Sequence, residues 1–158
     1  MKKQARIALL ALVALFVAMP AMAQMSANAK KFQSTSLRYL KNEGYQPYID
    51  EDNDLCFKHE GTTYWITLSD GDDGKPVYVE FHHSGLNIED ANRDEVLQTA
   101  NYINLNKKCV KASMSSKSLV FTIEMLFFDA NDFTPTIPRC IDLLSSSYDD
   151  AKEYYRDL

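Results

Sequence analysis

Residues 87–107, NIEDANRDEVLQTANYINLNK, read as one helix with strand-patterned sequence on both sides. Val96, Ala100 and Ile103, with Leu97 and Leu105 beside them, recur at three- and four-residue spacing, which on a 3.6-residue turn makes one apolar stripe. Such a stripe predicts a sheet for it to cover. Asn87 has N-cap chemistry with Asp90 three residues on. Glu89, Asp90, Asp94 and Glu95 come early and Lys107 and Lys108 late, the sense that complements the helix dipole.

Upstream the period changes to two. Three extended runs are expected: 48–50 continuing into 55–58, then 62–68, then 77–82, joined by connectors rich in Asp, Asn, Gly and Pro. Alternation puts Tyr64, Ile66 and Leu68 on one face and Thr63, Trp65 and Thr67 on the other, while Val77, Val79 and Phe81 oppose Tyr78, Glu80 and His82. One face is apolar and the other mixed. Downstream, 108–114 and 118–128 form two more runs around a polar hairpin. The second of these has large residues on both parities toward its end, which predicts burial on both sides and a central place in the sheet.

Two more helices close the pattern. The first, 26–43, carries Ala29, Phe32, Leu37 and Leu40, then Gly44 as its left-handed stop and Tyr45 to pack back on Leu40. The last starts near Pro138 with Cys140, Ile141, Leu144, Tyr148, Ala151 and Tyr155 on its apolar side, and Ser145, Ser146 and Ser147 mark a point where it could break. The expected architecture is α+β: helix, three antiparallel strands, helix, two strands, helix.

The N-terminus is a different kind of sequence. Lys2, Lys3 and Arg6 precede an apolar run, 7–19, that ends in the small residues Ala21 and Ala23, the layout of a secretory signal peptide cleaved after Ala23. Removal of residues 1–23 would leave one domain, 24–158, in the periplasm or outside the cell, with no membrane span. Loss of three basic residues from 17 leaves 14 against 22 acidic ones, a formal charge of −8. That charge disfavours nucleic acid and anionic membrane surfaces, and permits a basic or amphipathic polypeptide partner.

Cys56, Cys109 and Cys140 are too few for a disulfide framework. One bridge at most can form, in any of three pairings, and small buried thiols are the competing reading. Asp50, Asp52 and Asp54 have calcium-loop spacing, but Leu55 stands where that loop needs glycine and Gly61 where it needs glutamate. Asp70, Asp72 and Asp73 repeat the theme, but Phe81 stands where the last carboxylate ligand is needed. His82 and His83 point to opposite faces, and His59 lies on another strand. No serine or cysteine stands in a nucleophile motif. The sequence therefore predicts no catalytic residue, no metal and no cofactor. A small-ligand or metal-responsive domain built on His59, His82 and the acidic turns is the alternative reading. The expected binding face is the mixed one, Thr63, Trp65, Thr67, Tyr78 and Glu80, unless a helix covers it.

Two stretches, LRYLKNEGYQPYIDEDNDLCFKHEGTTYWITL (37–68) and TANYINLNKKCVKA (99–112), resemble the type III secretion chaperone-like fold, in particular its YbjN-type bacterial domains. The resemblance implies a non-enzymatic protein-binding or regulatory module with a curved antiparallel sheet, often a homodimer. It also singles out Asn101 and Asn104 on the middle helix, whose amides could bond the sheet edge or contact a ligand. A signal peptide sets this chain apart from cytoplasmic secretion chaperones, so fold and role need not transfer together.

Overall fold

The computed structural model describes residues 25–70 and 76–158. The expected signal peptide and part of the second acidic turn, residues 71–75, lie outside the described residues.

Helix α1 (Ala27–Asn42) starts where Ser26 accepts the Ala29 N–H (3.1 Å) and buries Ala29, Phe32, Ser36 and Leu40. It stops as its sequence dictates. Gly44 takes φ +88°, Tyr45 N–H donates to Leu40 O (3.0 Å) and Gly44 N–H to Lys41 O (3.2 Å), the paired bonds of a Schellman end. Tyr45 then packs on Phe57, with ring centroids 5.1 Å apart.

Six strands follow in one antiparallel sheet. They are β1 (Tyr48–Ile49), β2 (Leu55–His59), β3 (Thr62–Asp70), β4 (Val77–Asn87), β5 (Lys111–Met114) and β6 (Ser118–Phe127). Their spatial order is β1-β2-β3-β4-β6-β5. The sequence pattern predicts five strands because β1 reads as continuous with β2. Asp50 separates them: its Oδ1 accepts the N–H groups of Asp52 (3.1 Å) and Asp54 (2.9 Å), and Asn53 takes φ +68°, so the chain reverses on itself. β4 also runs further than expected. It pairs with β6 as far as Asn87↔Ser118, through an irregularity after Ser84, so Asn87 ends a strand and caps no helix.

The turn into the next helix is organised by Asn92 instead. Its Oδ1 accepts the Glu89 N–H (2.8 Å), and its Nδ2 donates to Asn87 O (3.1 Å) and Tyr155 Oη (3.2 Å). Helix α2 (Arg93–Asn106) buries Val96, Thr99, Ala100 and Ile103, while Leu97 and Leu105 are 57% and 75% exposed. The stripe is narrower than predicted because α2 does not lie over the sheet. It packs against edge strand β5 and the last helix, so only one side of it is covered.

After β6 come a short helix α3 (Ala130–Phe133) and a 3-10 turn, then α4 (Ile137–Arg156). Helix α4 runs unbroken through Ser145, Ser146 and Ser147. Ser147 is buried and its hydroxyl donates to Leu143 O (2.7 Å), which satisfies it inside the helix. The buried residues of α1 and α4 meet the inward parity of the sheet, Leu55, Phe57, Tyr64, Ile66, Val79, Phe81, Phe121 and Ile123, in one core.

Candidate functional site

Sheet register assembles the opposite face row by row. One row crosses all six strands: Tyr48, Cys56, Trp65, His82, Thr122 and Lys111. The next continues Thr67, Glu80 and Glu124, and the one beyond it Ser69, Tyr78 and Leu126. Same-face side chains two residues apart along a strand stand about 7 Å apart, so the three rows adjoin, with Cys56 and Thr122 buried within the first of them. The helices bury their apolar side chains in the core, and Asn104 of α2 borders the β5 end of this face, lining a cavity with Lys111, Thr122 and Glu124.

The sequence-predicted face is brought together as a unit. Thr63, Trp65, Thr67, Tyr78 and Glu80 all lie on it and all are partly exposed. Trp65 stacks on His82 at 5.7 Å between centroids, nearly parallel at 28°. Thr67 Oγ1 lies 3.5 Å from His82 Nε2. Burial holds His82 below the usual histidine range, with Glu80 and Asp54 pulling against it, so the ring is held toward its neutral, stacking form. Asp54 precedes β2 and bonds Thr67; burial raises its carboxyl, and Asp50 adds to that rise.

Three partners complete this face beyond the residues expected for it. His82 lies on it by parity, although the sequence points to it only for the alternative histidine-based site. Glu124 stands directly opposite Glu80 in the β4–β6 ladder and pairs with Lys111. Leu126 is 64% exposed, and Phe128 just beyond it 73%, which corrects the expectation that β6 is buried on both sides at its end. That half of β6 outruns β5, whose pairing stops at Lys111↔Thr122. The parity of β6 alone, with Glu124 and Leu126 in step with Thr122, carried the signal.

The histidine-based alternative does not assemble. His59 falls on the inward parity of β2, near Tyr45 (5.6 Å between ring centroids), whereas His82 faces the open side. Among the described residues no three His, Cys, Asp or Glu side chains are placed to hold a metal ion.

Asn101 and Asn104 separate as well. Asn101 is exposed on α2. Asn104 bonds the outer edge of β5 at both ends of one residue: its Nδ2 donates to Ala112 O (3.0 Å) and its Oδ1 accepts Ala112 N–H (2.8 Å). The amide thus imitates a neighbouring strand. Asn104→Ala strips both bonds from β5 and is expected to lower stability by about 1–2 kcal/mol, read from urea unfolding. Asn101→Ala in the same assay should change it by less than about 0.5 kcal/mol.

No protein-family model matches the sequence, and no curated protein matches it either. Among solved structures the chain is similar to YbjN of E. coli, provisionally described as a transcription regulator, with a TM-score of 0.58 over 77% of this chain and 92% of that one, at 14% identity. Of the resemblance noted in the sequence, this likeness speaks for the YbjN-type part. The chain is built on the YbjN-like α+β fold.

Proposed function

We propose that this protein is an exported, non-enzymatic binding module, chaperone-like or regulatory in role, that holds a basic amphipathic polypeptide on the open face of its sheet. One observation carries the reading: the carboxylate row formed by Glu80 and Glu124, with Asp54 beside Thr67, runs between an aromatic row, Trp65 and His82, and a second apolar row, Tyr78 and Leu126. Alternating lysines and large apolar side chains would match that spacing, with anchors in the outer rows and ammonium groups on the middle one. The charge of −8 expected after signal cleavage works in the same direction and against phosphate backbones, so the regulatory description of YbjN supports a binding role here without implying DNA contact. The basic start and apolar run before Ala23 support export.

Trp65 is the sole tryptophan and reports on the face directly. Titration of the protein with a Lys/Leu-alternating peptide should give a saturable blue shift of its emission that weakens as salt rises. Glu80→Lys and Leu126→Asp should each weaken binding about tenfold or more. Equal response to an acidic peptide of the same apolar content would sink the reading. Native mass spectrometry of gently purified protein supplies the second arm: a bare homodimer whose interface Leu126→Asp disrupts would give the face to a second copy.

A further inference from the structure

The sequence leaves three cysteine pairings open, and the sheet discriminates among them. Cys56 sits on β2 with its thiol on the open face, donating to Asp50 Oδ2 (3.2 Å). Its row runs Cys56, Trp65, His82, Thr122, Lys111, so four strand spacings, about 19 Å, separate it from the β5 end near which Cys109 lies. Cys140 lies in the first turn of α4, packed beneath the other face among the core residues. The sheet itself stands between Cys56 and Cys140.

Cys109 and Cys140, in contrast, line one cleft of about 330 Å³ beside the free half of β6, with Ile123, Met125 and Leu143 as its apolar wall. Cys109 is exposed and holds φ +66°, a conformation that side-chain-bearing residues seldom adopt, in the short link between α2 and β5. Cys140 is 4% exposed. We infer that Cys109 and Cys140 form a reversible disulfide, with Cys56 as the thiol left over, and that this bridge fastens the α2–β5 link to the first turn of α4.

The two thiols differ in a way that orders the chemistry. Burial, with a smaller push from Cys109 and against a lowering bond from Thr136, holds the Cys140 thiol up at about 11. Burial and the Asp50 carboxylate push Cys56 up to about 12. Exposed Cys109 therefore meets a small disulfide such as oxidised glutathione first: its thiolate attacks one sulfur, a mixed disulfide forms and one glutathione thiolate leaves. Cys140 then attacks the Cys109 sulfur, the second glutathione leaves, and the two protons end on the two glutathione thiols. Two protein thiols are oxidised and one disulfide is reduced. The pairing is independent of what the open face binds. In an oxidising compartment such a bridge persists.

The test is a peptide map of the purified full chain after incubation with oxidised glutathione and alkylation without reductant. The expected product is a single cross-linked peptide pair joining Cys109 to Cys140, with Cys56 alkylated only once the protein is unfolded. Cys56→Ser should leave the cross-link unchanged, and Cys140→Ser should trap glutathione on Cys109. Reduction of the bridge should lower the Tm by about 5–10 °C in wild type and leave Cys109→Ser unmoved. A bridge containing Cys56, a Cys109–Cys109 dimer, or stable glutathione on Cys109 of the wild type would overturn the assignment, and none of these readouts depends on a variant folding.

Discussion

Phe121→Ala should lower unfolding free energy by about 4 kcal/mol. Phe121 is fully buried on β6, stacked over His83 at 5.2 Å and 17°, with the Tyr148 ring 5.9 Å away edge-on. Its ring also covers Gly85 of β4 so closely that a Cβ there would meet Phe121 Cε2 at 2.6 Å and Tyr148 Cδ2 at 3.0 Å. Gly85 is thus glycine for want of space. The φ of Gly85 is not the constraint. Gly85→Ala alone should cost about 2 kcal/mol, because a buried ring in a packed core cannot step aside freely. In the Phe121→Ala background the main obstruction is gone, and the same change should cost well under half as much. Urea unfolding of the two single variants and the double variant measures the coupling. Additive costs would mean that the ring and the glycine do not constrain each other.

His83→Ala should cost about 3 kcal/mol and, separately, change how stability depends on acid. His83 is fully buried, caged by Tyr64, Phe121 and Tyr148, with Nδ1 3.1 Å from Ser84 O and Nε2 3.3 Å from Leu144 O. Burial lowers its pKa, and the two carbonyls only partly restore it. A histidine with a lowered folded pKa is protonated more readily in the unfolded chain. Its contribution is fully present above the unfolded value near 6.5, and it is lost as pH falls below that toward the folded value. His82 is shifted the same way and adds to the loss. Stability measured from pH 7.5 down to about 5 should therefore decline in wild type. His83→Gln keeps a donor for Leu144 O without a titrating ring, so its decline should be shallower. An equal slope in the two proteins would show that His83 does not titrate across folding.

Both rings take their partners from other strands and from α4, and this marks where sequence reading succeeds and where it stops. Alternation along β3 and β4 gave the face bearing Trp65, Thr67, Tyr78 and Glu80, because a strand buried on one side writes its orientation into every second residue. The Gly44–Tyr45 stop was equally plain, since it is completed within one turn of chain. Leu97 and Leu105 misled because periodicity reports the apolar width of a helix and not how much of it a neighbour covers. Asn87 misled because cap chemistry and strand ends favour the same residue, and only its pairing with Ser118 decides between them. The Glu80–Glu124 pairing has no local signature at all. It exists only once β4 and β6, separated by α2 and β5, come into register.

The edges of the sheet bear on what the molecule can become in a crowd of its own copies. A sheet recruits further chains through backbone left bare at its margins, and unchecked recruitment ends in fibrils. Here one margin is β1, only two residues long, and the other is β5, four residues long with Asn104 occupying the N–H and C=O of Ala112. Neither gives an incoming strand a run to grow on. The free half of β6 is the longer bare stretch, and it is bounded by β5 at one end and by α3 at the other. A two-fold pair meeting there, or across the open face, would use up the surface that joined it and would not propagate as a polymer.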